Sequence, residues 1–153
     1  NIFLSEIIKK QFNAQQNECY ENCFNAIMQS TNDKMIAKML YVEGWVLTGT
    51  LPYPDAHAWL QIGRHIVDPT LKINISEFPF IKYFPGLWRD RAQLGQLVLA
   101  VKENKEKYSN IKPLPIHGLF IYMSSMPIDR YYAAKQQADE WLAAKLAANS
   151  EVL

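Results

Sequence analysis

A thiol, an imidazole and a carboxylate stand in chain order at Cys19, His57 and Asp68. Together they are the parts of an activated thiolate nucleophile: the imidazole takes the thiol proton, and the carboxylate holds the imidazole in the tautomer that can accept it. Their surroundings add to this. Cys19 opens a stretch of helical periodicity, and the unpaired N–H groups of a helix start stabilise negative charge, so a thiolate there is expected to be the reactive form. His57 and Asp68 flank a turn at Gly63-Arg64, which brings them close to facing each other in a hairpin, where adjacent strands stand about 4.8 Å apart. Cys23 lies one turn deeper in the same helix, gains less from its end and reads as a buried thiol. The same atoms could instead hold zinc, but a Cys-x-x-x-Cys pair on a helix is not knuckle spacing and there is no second Cys pair. No metal is expected. His65 and His117 read as ordinary structural histidines.

The elements that must position these groups follow from periodicity. Residues 3–12 carry apolar side chains at 3, 4, 7, 8 and 12 and predict a first helix. A polar break at 13–17 precedes a second helix over 18–30, with Cys19, Cys23, Ala26, Ile27 and Ser30 on one stripe and Asn17 as the expected N-cap. Residues 39–48 predict a covered strand, with apolar residues in both alternating sets. After a loop with two prolines, strands are expected over 56–62 and 65–68, stopped by Pro69, and the three strands form an antiparallel meander. Residues 71–87, aromatic and broken by Pro79 and Pro85, predict a structured loop along one side of the site. A long helix is expected over 88–108, with 94, 97, 98 and 101 on one face. A fourth strand is expected over 117–124, and an alanine-rich helix over 129–149.

Composition narrows the function classes. The 153 residues fit one domain, nearly half of them are apolar, and 12% are aromatic, enough for a filled core. Net charge is +1, from 16 Lys and Arg against 15 Asp and Glu, with no basic stripe of the kind nucleic-acid binding needs. The mixed run Lys102-Glu103-Asn104-Lys105-Glu106-Lys107 reads as a solvated helix face. No apolar run is long enough to span a membrane. The two cysteines read as free thiols, so the default compartment is cytoplasmic. The chain opens on Asn1 rather than Met, and a secreted thiol enzyme that had lost a signal peptide would look the same.

The ordered set Cys19-Tyr20-Glu21-Asn22-Cys23, Tyr41-Val42-Glu43-Gly44-Trp45, His57-Ala58-Trp59 and Asp68-Pro69-Thr70 resembles the transglutaminase-like branch of the papain-like cysteine enzymes, and within it small bacterial and phage proteins. The resemblance covers about residues 15–71, with 88–149 as a C-terminal elaboration of the same single domain. It implies an α+β fold: a papain-like, transglutaminase-like core with a nucleophile helix packed on a small antiparallel sheet, and additional C-terminal helices. It also implies Cys19 as nucleophile, His57 as base, Asp68 as orienting acid and Trp59 as the aromatic beneath the histidine strand. The small residue expected four positions after the nucleophile is here Cys23, and the glycine usual before it is replaced by Gln15, Gln16 and Asn17. Gln16 is the candidate oxyanion donor. Glu43, Trp45, Tyr53 and Trp59 are candidate cleft residues, with Trp88 a further rim aromatic.

The chemistry implied is a thiol-dependent amide hydrolase or acyl-transferase working through an acyl-enzyme and needing no cofactor. Its substrate would be a peptide, a protein or a small amide. The competing expectation is an inactive interaction module of bacterial or phage origin that keeps the fold. Nothing in the sequence speaks to oligomeric state.

Overall fold

A computed structural model describes residues 1–48, 51–71, 80–103 and 128–150. The strand expected over 117–124, the end of the helix expected over 88–108, Pro113, Pro115, His117 and residues 72–79 lie outside the described residues. The fold is α+β, with helices packed on a four-stranded antiparallel sheet.

Helix α1 (Ile2–Gln11) is capped by Asn1, whose side chain accepts from Leu4 N at 3.2 Å. Helix α2 (Cys19–Gln29) buries Cys19, Asn22, Cys23, Ala26 and Ile27, a stripe at spacings of three and four. Its N-cap is Glu18 rather than the expected Asn17, and Glu18 makes no side-chain cap bond. Asn17 instead has φ +66°, a left-handed conformation asparagine tolerates, and turns the chain into the helix. At the far end of α2 the Arg91 guanidinium donates to the carbonyls of Met28 (2.7 Å) and Ser30 (3.0 Å), groups the helix itself leaves unpaired. A short helix α3 (Asp33–Ile36), not anticipated, follows Asn32, which accepts from Met35 N.

Strands β1 (Met39–Leu47), β2 (Asp55–Ile62) and β3 (His65–Val67) form the expected meander, with Gly63 at φ +60° in the turn. A fourth strand, β4 (Lys82–Arg89), pairs with the other side of β1, giving the order β3-β2-β1-β4. The end of the segment read as a covering loop, residues 82–87, is thus sheet. Proline is tolerated there because β4 is an edge strand among the described residues and Pro85 sits at a bulge, where the register shifts between Glu43 and Gly44 and Gly86 is the extra residue. Both glycines are required by close approach. A Cβ on Gly44 would stand 2.2 Å from the Phe84 carbonyl oxygen, and one on Gly86 would stand 2.8 Å from Tyr131 Cα.

Helix α4 (Arg91–Glu103) starts three residues later than expected. Asp90 caps it in a reciprocal pair with Gln93: Gln93 N donates to Asp90 Oδ1 at 2.8 Å, and Asp90 N donates to Gln93 Oε1 at 3.0 Å. Leu94 and Leu97 on its inner face are buried. Helix α5 (Ile128–Ser150) buries Tyr131, Ala134 and Ala138 against β4 and β1. One core joins α2 and α4 to Met39, Tyr41, Ala58, Leu60 and Val67, and Trp45 links it to a second cluster under α5. No helix among the described residues is long and apolar enough to cross a membrane.

Candidate active site

The site forms where the sheet is left incomplete. The β2–β3 ladder covers only Leu60–Ile62, so on that side the edge of β2 from Asp55 to Trp59 pairs with no strand among the described residues. The start of α2 and the turn after β3 gather there around a cavity of about 300 Å³, lined by Gln16, Asn17, Cys19, Tyr20, Asp55, Ala56, His57, Thr70 and Leu71.

Within it His57 Nε2 and Asp68 Oδ2 are 2.6 Å apart, and both residues are buried. They come close to facing each other, as the hairpin predicts, but on a diagonal. The register Leu60↔Val67, extended, sets Trp59 opposite Asp68, so the pair is diagonal and its side chains close the gap. Asp68 is held from every side. Its Oδ1 accepts from the N–H groups of Thr70 and Leu71, both at 3.0 Å, a local turn that Asp favours. Its Oδ2 accepts from His57 and from the Tyr83 hydroxyl at 2.9 Å. Its own N–H donates to Ser5 Oγ of α1 at 2.9 Å.

The Cys19 thiol lines the same cavity as the imidazole and is among the groups that favour charge on it. With Nε2 committed to Asp68, Nδ1 is the nitrogen left for the thiol proton. Cys19 reaches the cavity, whereas Cys23 is completely buried behind it. Burial works against charge on the His57 ring, but the Asp68 carboxylate, its bond to the ring and the Cys19 thiol outweigh it, and its pKa is raised from 6.5 to about 10. Burial likewise opposes charge on Asp68, yet His57 and the two backbone N–H groups hold its pKa below the usual carboxylate value. Burial pushes the Cys23 thiol well above its ordinary value, aided by the Asp68 and Cys19 charges. The two thiols therefore differ in access and in what faces them.

A buried amide ties the parts together. Asn22, one turn into α2, accepts from Gln15 N (2.9 Å) and donates to Gln15 O (2.6 Å) and to Thr70 Oγ1 (2.8 Å). It clamps the loop before the thiol and the turn after the carboxylate to the same helix. Beneath them Trp59, 1% exposed, meets the Tyr83 ring edge-on at 5.0 Å, which fixes the phenol that reaches Asp68.

Of the sequence candidates, Cys19, His57, Asp68 and Gln16 meet at this place. The cleft candidates do not line it. Glu43 is fully buried and accepts from the Tyr41 hydroxyl at 2.6 Å. Trp45 packs on Tyr131 and donates its ring N–H to the Tyr131 carbonyl. Trp59 is core, and Tyr53 is exposed away from the cavity. Trp88 lines a different, smaller hollow beside Arg130. Sequence reading missed Tyr83, Ser5, Tyr20 and the clamp role of Asn22. The signal for Asn22 was there: an amide on an otherwise apolar buried stripe needs a partner. Among the described residues no group of three or more His, Cys, Asp and Glu side chains is disposed to hold a metal ion.

Comparison with known proteins finds no family model, curated protein or solved structure that the chain matches.

Proposed function

We propose that the chain is a thiol-dependent amide hydrolase or acyl-transferase with a papain-like, transglutaminase-like arrangement of helix and sheet. The observation that carries this reading is the constellation itself: one imidazole held at 2.6 Å by a buried carboxylate, with the thiol at the start of α2 lining the same cavity. Cys19 Sγ gives its proton to His57 Nδ1 and attacks the substrate carbonyl carbon. The carbonyl π electrons move to oxygen, and the N–H groups at the uncapped start of α2, with the Gln16 amide on the cavity wall, face the resulting oxyanion. As the tetrahedral carbon collapses, the C–N bond breaks and His57 protonates the leaving amine. Water or a second amine, deprotonated by His57, then attacks the thioester carbonyl and returns the thiol.

The test is covalent trapping with p-nitrophenyl acetate. Wild-type protein is expected to release a burst of nitrophenolate and carry one acetyl group, mapped to Cys19. Cys19→Ala and His57→Ala, folded by circular dichroism, should give neither. Folded wild-type protein that forms no adduct would leave the inactive interaction module as the reading.

A further inference from the structure

Asp55 is the first residue of β2 and one wall of the cavity. Two residues along the strand stands His57, so the two side chains leave the same face with their Cα atoms about 7 Å apart. Pairing of Asp55 with Val46 fixes the strand here, so the carboxylate is presented from a rigid element rather than from a loop. It is exposed, and no ion pair or side-chain hydrogen bond engages it among the described residues. Among the described residues no Lys or Arg lines the cavity, and Asp55 and His57 are the only ionisable side chains lining it apart from Cys19 and Tyr20. A substrate whose carbonyl meets Cys19 thus shares its cavity with the Asp55 carboxylate.

We infer that Asp55 is a specificity-determining residue, and that the site takes amide substrates bearing a positively charged group, such as an ammonium, close to the reacting carbonyl. The inference rests on the thiol chemistry proposed above and adds a charge preference to it. Acidic substrates are disfavoured by the same carboxylate.

The preference can be read without knowing the substrate, using two methanethiosulfonates of similar size, cationic trimethylammonioethyl and anionic sulfonatoethyl, with the small neutral methyl reagent as reference. In each, the thiolate sulfur attacks the reagent's sulfenyl sulfur, an S–S bond forms, the S–SO2 bond breaks, and methanesulfinate leaves with the electron pair. Rates at Cys19, mapped by mass and divided by those of a small free thiol, are expected to favour the cation over the anion about tenfold in wild type at low salt. Asp55→Asn should lower that ratio roughly three- to fivefold and Asp55→Lys should invert it, while 1 M NaCl should collapse it in wild type. Fast modification of Cys19 with a ratio unmoved by both substitutions and by salt overturns the role of Asp55 alone. A neutral reagent that does not distinguish Cys19 from Cys23 overturns the underlying thiol reading instead.

Discussion

Replacing Asp68 by asparagine is the sharpest perturbation the site offers, because the structure dictates how the new amide must lie. The two N–H groups of Thr70 and Leu71 both point at Oδ1, each at 3.0 Å. Only the carbonyl oxygen of asparagine can accept them, since the flipped amide would set two donors against two donors. The NH2 group is therefore left facing His57 Nε2, where the native oxygen stood 2.6 Å away, and the Tyr83 hydroxyl, native at 2.9 Å. It must donate to Nε2. The ring proton then moves to Nδ1, the atom needed to receive the thiol proton, and the imidazolium loses its counter-charge while burial still opposes its charge. Against burial, the Asp68 interactions, with a smaller share from Cys19, raise His57 from 6.5 to about 10. Losing even two units of that support corresponds to about a hundredfold. Alkylation of Cys19 by iodoacetamide at pH 6.5 is expected to slow by about this factor, and turnover by more, since a wrong tautomer costs triad enzymes about 10⁴ in kcat. The cost in stability should be about 3 kcal/mol, as for a broken buried pair. The assay is alkylation followed by peptide mapping, with circular dichroism to show the variant is folded. A folded Asp68→Asn protein labelled at the wild-type rate would refute the relay.

Three further outcomes follow from the same geometry. Asn22→Ala removes three bonds around Gln15 and Thr70 and should cost about 2–3 kcal/mol in urea titration while also slowing Cys19 alkylation; a loss under about 1 kcal/mol would mean the clamp is idle. Gly44→Ala drives a methyl to 2.2 Å from the Phe84 carbonyl and 2.9 Å from the Trp59 ring, so it should destabilise by about 3 kcal/mol or more in thermal melts, a result that a near-wild-type melting temperature would contradict. The folded-state pKa of His57 is raised, so its contribution to stability is complete below pH 6.5 and fades as pH rises toward about 10; that of Asp68 is lowered, so its contribution is present above pH 3.8 and lost below it. Wild-type stability relative to His57→Gln should therefore be greatest between about pH 4 and 6.5 and shrink by up to about 1.4 kcal/mol per unit above that range, whereas parallel curves would contradict the pairing.

Periodicity located what is decided locally. Helices α1 and α2 and strands β1 to β3 lie within a residue or so of their expected bounds, because each has a one-sided or fully covered apolar pattern that its own residues impose. Strand β4 was illegible because its licence is remote. Pro85 reads as a breaker until Gly44 on β1 provides a bulge, and until the strand is known to sit at the edge. The start of α4 was legible in retrospect, since Asp90-x-x-Gln93 is a capping pair.

The site divides along the same line. His57 and Asp68 were readable because eleven residues and one turn join them. Their register was not, since three ladder pairs set it and the contact is diagonal. The choice of cleft residues failed for a related reason: in a strand with apolar residues in both alternating sets, sequence does not say which face is open, and Glu43, Trp45 and Trp59 all face packed side chains or helices. The least legible partner matters most for the chemistry. Tyr83 reaches Asp68 only because β4 pairs with β1, two strands away from β3. With Tyr83 in place, both carboxylate oxygens have two donors each, so a buried carboxylate can remain ionised beside an imidazole that must charge and discharge. A two-residue reading of the acid–base pair could not supply that, because ionisation in a buried site depends on every group around it, and these come from α1, β2, β4 and the turn after β3 together.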